Sequence, residues 1–207
     1  MNSTLLERLK GFQIPAATPI PTDRYIVARL LGVEFDGILA SPDFGFSQPF
    51  DAGFGKMMVR TASHLLGGDA CGRYCFVEQL EVSMLLDNRG QLTRLWVDAS
   101  ELQSFLVALA SSKMSLQLED EAIFACKLYA FTKPDMALAY FLWRQQEVYA
   151  ASLDRYCVDV LSRDQSPDLV AKIMEGLGPV EKLEILAQNN MNHESLPAWQ
   201  RRGTGVH

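Results

Sequence analysis

The tightest constraint on folding is the order in which strand-like and helix-like patterns alternate along the chain. Tyr25-Ile26-Val27-Ala28-Arg29-Leu30-Leu31 is a β-branched, apolar run suited to a central strand. Asp36 to Pro49 concentrates Gly, Ser, Pro and Asp and reads as a loop. Asp51 reads as a helix N-cap. After it Phe54, Met57, Met58, Ala62 and Leu65 recur at helical spacing until Gly67-Gly68 stops them. Arg73 to Asp87 reads as strand, turn and strand, with the turn at Glu78-Gln79-Leu80-Glu81, and Asp87-Asn88-Arg89-Gly90 is a second turn signal. Ser100 to Leu118 is helical, with Leu102, Phe105, Leu106, Leu109 and Met114 facing inward. Ala122 to Phe131 is a strand, and Pro134 opens a long helix that runs to Leu161. Two shorter helices, Pro167 to Leu177 and Pro179 to Asn189, precede a polar, Gly-containing tail from Met191 to His207.

That order is β-α-β-β-α-β followed by helices. It predicts an α+β fold with a ferredoxin-like antiparallel sheet and helices on one face. Residues 1–22 form an N-terminal arm with Pro15, Pro19 and Pro21, residues 23–162 form the sheet domain, and residues 163–207 carry the C-terminal helices and tail. Polymerase palms share this order with many small binding domains, so order alone leaves the function open.

Composition narrows the field. With 207 residues, 48% of them hydrophobic, the chain buries a core without disulfide or metal staples. Its net charge of −6 gives no long-range attraction to nucleic acid, so any RNA contact must come from a local basic patch or from a partner. Cys71, Cys75, Cys126 and Cys157 include one C-x3-C pair with no histidine nearby, which reads as structural thiols and not a zinc set. No run is long and apolar enough to read as a membrane span, and Met1 to Pro21 lacks the pattern of a signal peptide. A reducing cytoplasm is the expected location.

Several blocks together carry a family resemblance. They are Arg29-Leu30-Leu31-Gly32-Val33-Glu34-Phe35; Pro49-Phe50-Asp51 with Phe54 and Met58; Gln79-Leu80-Glu81-Val82-Ser83; and Tyr140-Phe141-Leu142-Trp143-Arg144. The last is the ending Leu196-Pro197-Ala198-Trp199-Gln200-Arg201-Arg202-Gly203. These resemble, over nearly the whole chain, the tRNA-histidine guanylyltransferase-like family of 3′-to-5′ nucleotide-adding enzymes. The Trp-Arg block and the ending are the specific signals. The resemblance implies a polymerase-palm fold, a triphosphate substrate, two magnesium ions and tRNA-type acceptors.

The same blocks depart from the family where its chemistry resides. The family patterns read R-L-D-G-R-x-F and S-D-E-x-S, and here Leu31 and Leu80 stand at the two aspartates, while Glu81 keeps the glutamate. Two-metal transfer needs carboxylates on ions roughly 4 Å apart, and a leucine methyl offers neither a ligand oxygen nor a charge. Other acids that could rebuild a site are Glu34, Asp36 and Glu78. Where the resemblance implies basic triphosphate contacts, the chain reads Val97-Asp98-Ala99-Ser100-Glu101, and Ala125 stands at a further family aspartate.

The expected reading is a divergent, catalytically inactive family member acting as a nucleotide- or RNA-binding protein or a partner subunit. The alternative is an active 3′-to-5′ nucleotidyltransferase with relocated metal ligands. Nucleotide contacts are expected at Gly32, Val33, Glu34, Phe35, Gln79, Ser83 and Lys127, and RNA or partner contacts at Arg144, Trp199, Arg201 and Arg202. No metal or cofactor is expected; magnesium with GTP or ATP belongs to the enzyme alternative. The expected partners are a second copy or an active paralogue, with a nucleotide or tRNA as ligand and no membrane. Leu31 and Leu80 should be neighbours in a shared apolar contact. Phe141, Trp143, Tyr149 and Tyr156 should form an exposed interface patch, and His64, His193 and His207 carry no catalytic pattern.

Overall fold

The structure is a computed structural model in which residue 9 and residues 11–67, 71–86 and 95–207 are described. Most of the first residues of the arm, Gly68 and the turn at Asp87 to Gly90 lie outside the described residues. The elements are β1 (Tyr25–Val33), α1 (Phe35–Ala40), α2 (Ala52–Gly67), β2 (Gly72–Val77), β3 (Glu81–Leu86), α3 (Ala99–Leu118) and β4 (Ile123–Phe131). After them come α4 (Pro134–Leu161), α5 (Pro167–Met174), α6 (Pro179–Gln188), a 3₁₀ turn (His193–Ser195), α7 (Ala198–Arg202) and β5 (Thr204–Val206).

The sheet order is β4-β1-β3-β2-β5 with every neighbour antiparallel, which is the ferredoxin-like arrangement extended by one edge strand. Alternation along β1 sorts its side chains. Ile26, Ala28 and Leu30 face α2 and α3, where Phe54, Met58, Leu65, Leu102, Leu106 and Met114 complete the main core. Val27 faces the other way, with Tyr129 and Phe131 beneath Ala137, Tyr140 and Trp143 of α4. Helices therefore cover both faces, where one was expected. Cover on the α4 side is incomplete: Leu31, Val33 and Ile123 at one end of the sheet are 42%, 41% and 47% exposed.

The outer edge of β4 is plugged along its length. Ser111 Oγ accepts from the Phe124 N–H at 3.0 Å, and Gln103 Nε2 donates to the Cys126 carbonyl at 3.2 Å. Farther along, Ile14 N–H donates to the Leu128 carbonyl and Ala130 N–H to the Phe12 carbonyl, both at 2.9 Å. These bonds leave no run of free backbone groups for another chain to extend. Capping is equally local. Asp51 accepts from the Phe54 N–H at 2.8 Å, as its N-cap reading requires. Asp98 accepts from the Ser100 and Glu101 N–H groups as the N-cap of α3, while Glu101 accepts from the Val97 N–H at 2.9 Å, which gives these two acids a structural role.

Three further expectations are corrected. The segment read as a loop, 36–49, begins inside α1, because Phe35 and Leu39 fall one turn apart and both bury. The polar tail supplies β5, which pairs with β2 over Cys75 to Val77. Gly203 makes that pairing possible: it sits at φ 72°, where a Cβ would meet the Val77 carbonyl at 2.8 Å. The aromatics of α4 do not form an exposed patch. Trp143 and Tyr156 are buried, Phe141 packs on Tyr74 and Tyr140, and Tyr149 donates to Glu194. The four cysteines are unpaired, Cys75 and Cys157 buried, and burial pushes the Cys75 thiol up to about 12. No described helix is long and apolar enough to cross a membrane.

His193 holds the tail in place. It is 1% exposed, its Nε2 lies 2.9 Å from Ser152 Oγ on α4, and the rings of Tyr149 and Tyr156 pack edge-on around it. Burial pulls its imidazole below the ordinary value; Glu194 opposes the shift and Arg201 adds to it. The neutral form is thus the folded form, and the unfolded chain takes up the proton first as pH falls. Stability should be full above about pH 6.5 and decline as pH drops below it. Urea midpoints at pH 7 and pH 5 should show this decline, and His193→Gln should flatten it.

Candidate functional site

Leu31, Gly32, Gln79, Leu80 and Glu81 gather at one end of the sheet, where β1 passes the turn between β2 and β3. Gly32 N–H donates to the Leu80 carbonyl at 2.8 Å, and Leu31 stands opposite Glu81. Leu31 and Leu80 are therefore backbone neighbours, as expected, but their side chains part. Leu80 packs against the main core on the α2–α3 side, whereas Leu31 lies exposed on the other face. The shared apolar contact does not form because Leu31 alternates onto the face of Arg29 and Glu81.

Glu81 is the centre of this region. It is 9% exposed, and its carboxylate accepts both a Nε–H and a Nη2–H of Arg29 in a bidentate pair. Arg144 of α4 donates to the same carboxylate at 2.9 Å and also pairs with Glu78. Burial works against the charge on Arg29, but Glu81 raises its guanidinium above the ordinary value. Burial and the charge of Arg29 pull Arg144 down to about 9, which keeps it protonated at neutral pH. Two guanidiniums and two carboxylates thus neutralise one another inside the fold.

A cavity of about 300 Å³ opens beside this network. Glu78, Gln79 and Glu81 form its polar side, Val59, Val148 and Ala151 its apolar side, and Phe50 and Trp199 an aromatic wall. Gln79 reaches the Pro49 carbonyl at 3.1 Å, while its Oε1 and the Nε of Arg144 are buried with no hydrogen-bond partner. Such atoms at a cavity margin are places where a ligand's polar groups would be satisfied.

The remaining predicted residues separate into groups. Phe35 is in the core, edge-on to Phe54 and Phe124, and it lies where a Gly32 Cβ would be, so glycine here serves packing. Glu34, at φ 58°, begins α1, and Val33 is on the open sheet face. Ser83 is buried at 2.9 Å from the Tyr140 hydroxyl. Lys127 stands opposite Arg29 on exposed β4. Arg144, expected at a surface contact, is 5% exposed and committed to acids. Arg201 pairs with Glu194 at 2.7 Å, Arg202 is exposed, and Trp199 packs edge-on to Phe50. Sequence reading passed over Ser152, Arg155 and Val148, which line the cavity, because a helix face gives no motif for them.

The donor set at the family's metal positions does not suit magnesium. Leucines stand at both positions, and the neighbouring carboxylate of Glu81 has both oxygens engaged by guanidiniums. Asp36 pairs with Arg155 at 3.4 Å, and among the described residues no three acid, histidine or cysteine side chains group as metal ligands.

The fold is of the polymerase-palm type. The model of the Thg1 family, tRNAHis guanylyltransferase, matches residues 6–145, and the chain belongs to that family. Among solved structures it is similar to tRNA(His) guanylyltransferase from Saccharomyces cerevisiae, at 18% identity and a TM-score of 0.80, covering 100% of this chain and 92% of that one. It is also similar to a bacterial Thg1-like protein in complex with ATP, at 20% identity and a TM-score of 0.78, covering 98% and 86%. A bacterial Thg1-like protein in complex with GTP aligns at 21% identity and a TM-score of 0.71, covering 99% and 84%. No curated protein matches the sequence.

Replacing Glu81 with Gln keeps the shape and removes the charge that holds the two guanidiniums together. Glu81→Gln should destabilise the fold by about 3 kcal/mol, the scale for breaking a buried ion pair. Urea denaturation reads the loss directly, and an unchanged midpoint would mean the network holds nothing together.

Proposed function

We propose that this chain is a catalytically inactive member of the guanylyltransferase-like family that works by binding a nucleotide or RNA end, or as the partner subunit of an active relative. The observation that carries the reading is the state of Glu81. The family glutamate that the chain keeps is closed off by Arg29 and Arg144, and both metal aspartates are replaced by leucines. Two-metal transfer has no donor set there. The cavity beside it keeps unpartnered polar atoms and an aromatic wall, features of a binding pocket.

A partner role draws on a different surface. Leu138 and Leu142 on α4 are 59% and 54% exposed and flank an apolar groove lined by Tyr25, Tyr74 and Phe76. This ridge takes the place of the aromatic patch expected from sequence. The overall acidity and the loss of basic residues near Val97 and Asp98 favour such a role over unaided tRNA binding.

The test is magnesium-dependent addition of labelled GTP or ATP to tRNA. The chain should show none, and neither should Leu31→Asp, Leu80→Asp or the double variant. A new aspartate at residue 80 would sit against the core, and neither substitution frees Glu81. Leu80→Asp should also cost about 1 kcal/mol of stability, by setting a charge at a half-buried position packed against the core. Robust addition by the unmodified chain would overturn the reading.

A further inference from the structure

One end of the sheet is uncovered on the face where α4 packs. The row that starts at Val27, beneath α4, ends in Leu31 and Val33, which stand opposite Ala125 and Ile123 of β4. These last four residues are all exposed, and none has a polar side chain. The patch runs into a cavity of about 330 Å³ between α1 and the start of β4. Val33, Ile38, Phe44 and Ile123 form its apolar side, Glu34 and Glu121 its charged side, and no cation lines it. Both carboxylates are exposed, and among the described residues neither is in an ion pair. The turn before β4 adds Glu119 and Asp120, which are exposed as well.

We propose that this face is the docking surface for an amphipathic helix of a partner protein, with aliphatic side chains on the Leu31–Ile123 patch and Lys or Arg side chains on Glu34 and Glu121. The inference rests on the partner-subunit reading above and names the partner's chemistry. A helix fits because α4 already closes the other half of this sheet face, and a layered fold buries an open sheet face in that way. An added strand does not fit, since the outer edge of β4 beside the patch is bonded to Ser111 and Gln103. Basic flanks follow from carboxylates that no described cation neutralises. A polynucleotide or an anionic lipid surface would meet those carboxylates with like charge. A second copy of the chain, at net charge −6, is opposed in the same way. The patch lies at the other end of β1 from Tyr25 and the groove beside Leu138 and Leu142, so the two surfaces are separate.

The experiment is fluorescence anisotropy of the full chain with a labelled Leu/Lys peptide of about 18 residues, roughly five helical turns, with its leucines on one face. Leu/Glu and Ala/Lys peptides of the same pattern are the controls, and a short oligouridylate is the competitor. The unmodified chain should bind the Leu/Lys peptide about tenfold or more tightly than either control. Val33→Ser/Ile123→Ser should lose about tenfold in affinity and Glu34→Lys/Glu121→Lys about fivefold. Both variants alter exposed side chains only and should keep the melting temperature of the unmodified chain. Leu138→Ser/Leu142→Ser should bind as the unmodified chain does, and the oligouridylate should not compete. Absence of Leu/Lys binding, equal binding by either of the first two variants, a matching loss in the Leu138/Leu142 variant, or competition by the oligouridylate would each overturn the proposal. A dimer in sedimentation that Val33→Ser/Ile123→Ser abolishes would give the surface to a second copy and overturn it too. Nucleotide addition is measured separately: a chain that adds no nucleotide and binds no peptide overturns this proposal alone, whereas addition to tRNA overturns the reading beneath it.

Discussion

The structure turns on the carboxylate of Glu81 and the two guanidiniums that close on it. Arg29 reaches it from β1 and Arg144 from α4, so one side chain at the start of β3 ties the central strand to the long helix. Buried charges of one sign are costly alone and tolerable only when neutralised and hydrogen-bonded. Glu81 and Glu78 supply that neutralisation for Arg29 and Arg144. An oxygen engaged in this way is poorly placed to become a ligand for a hard cation, which must displace a guanidinium before it binds. The leucines at residues 31 and 80 agree with this: one packs, half-buried, against the core and the other faces solvent, with no acid at either position.

Around this centre the molecule separates two kinds of surface. Where carboxylates line the cavity, Arg29 and Arg144 are paired with them; where Lys56 and Arg60 line a second cavity beside Trp199, no carboxylate among the described residues does. Trp199 belongs to both, and its place depends on the tail. Gly203 turns the chain into β5, and His193 anchors the segment on Ser152. The tail therefore acts as part of the sheet domain and of the site, although its sequence looks like an appendage.

Much of the fold was legible because periodicity reports burial. The apolar run at Tyr25–Leu31, the spacing from Phe54 to Leu65 and Pro134 at the head of α4 each specify an element whose core face is local in sequence. β5 was not legible: three residues, two of them Thr and Gly, carry no strand pattern, and the pairing is dictated by β2 from far along the chain. α1 was hidden for the same reason, since Phe35 buries against Phe54 and Phe124, far along the chain. At the site, the motifs pointed to the right turn and strand. They could not show that Leu31 and Leu80 occupy opposite faces, that Arg144 is buried on Glu81, or that Phe35 and Ser83 are core residues. Those facts depend on strand alternation and on a long-range contact with α4.

The central claim is that Glu81 is held by arginines and is not free to take a metal. Manganese titration of the full chain in the presence of GTP, followed by electron paramagnetic resonance, tests it most directly. The account predicts that the chain removes no more manganese from solution than GTP alone does, and that Glu81→Gln leaves the titration unchanged. Tight uptake of manganese by the chain that disappears in Glu81→Gln would contradict it.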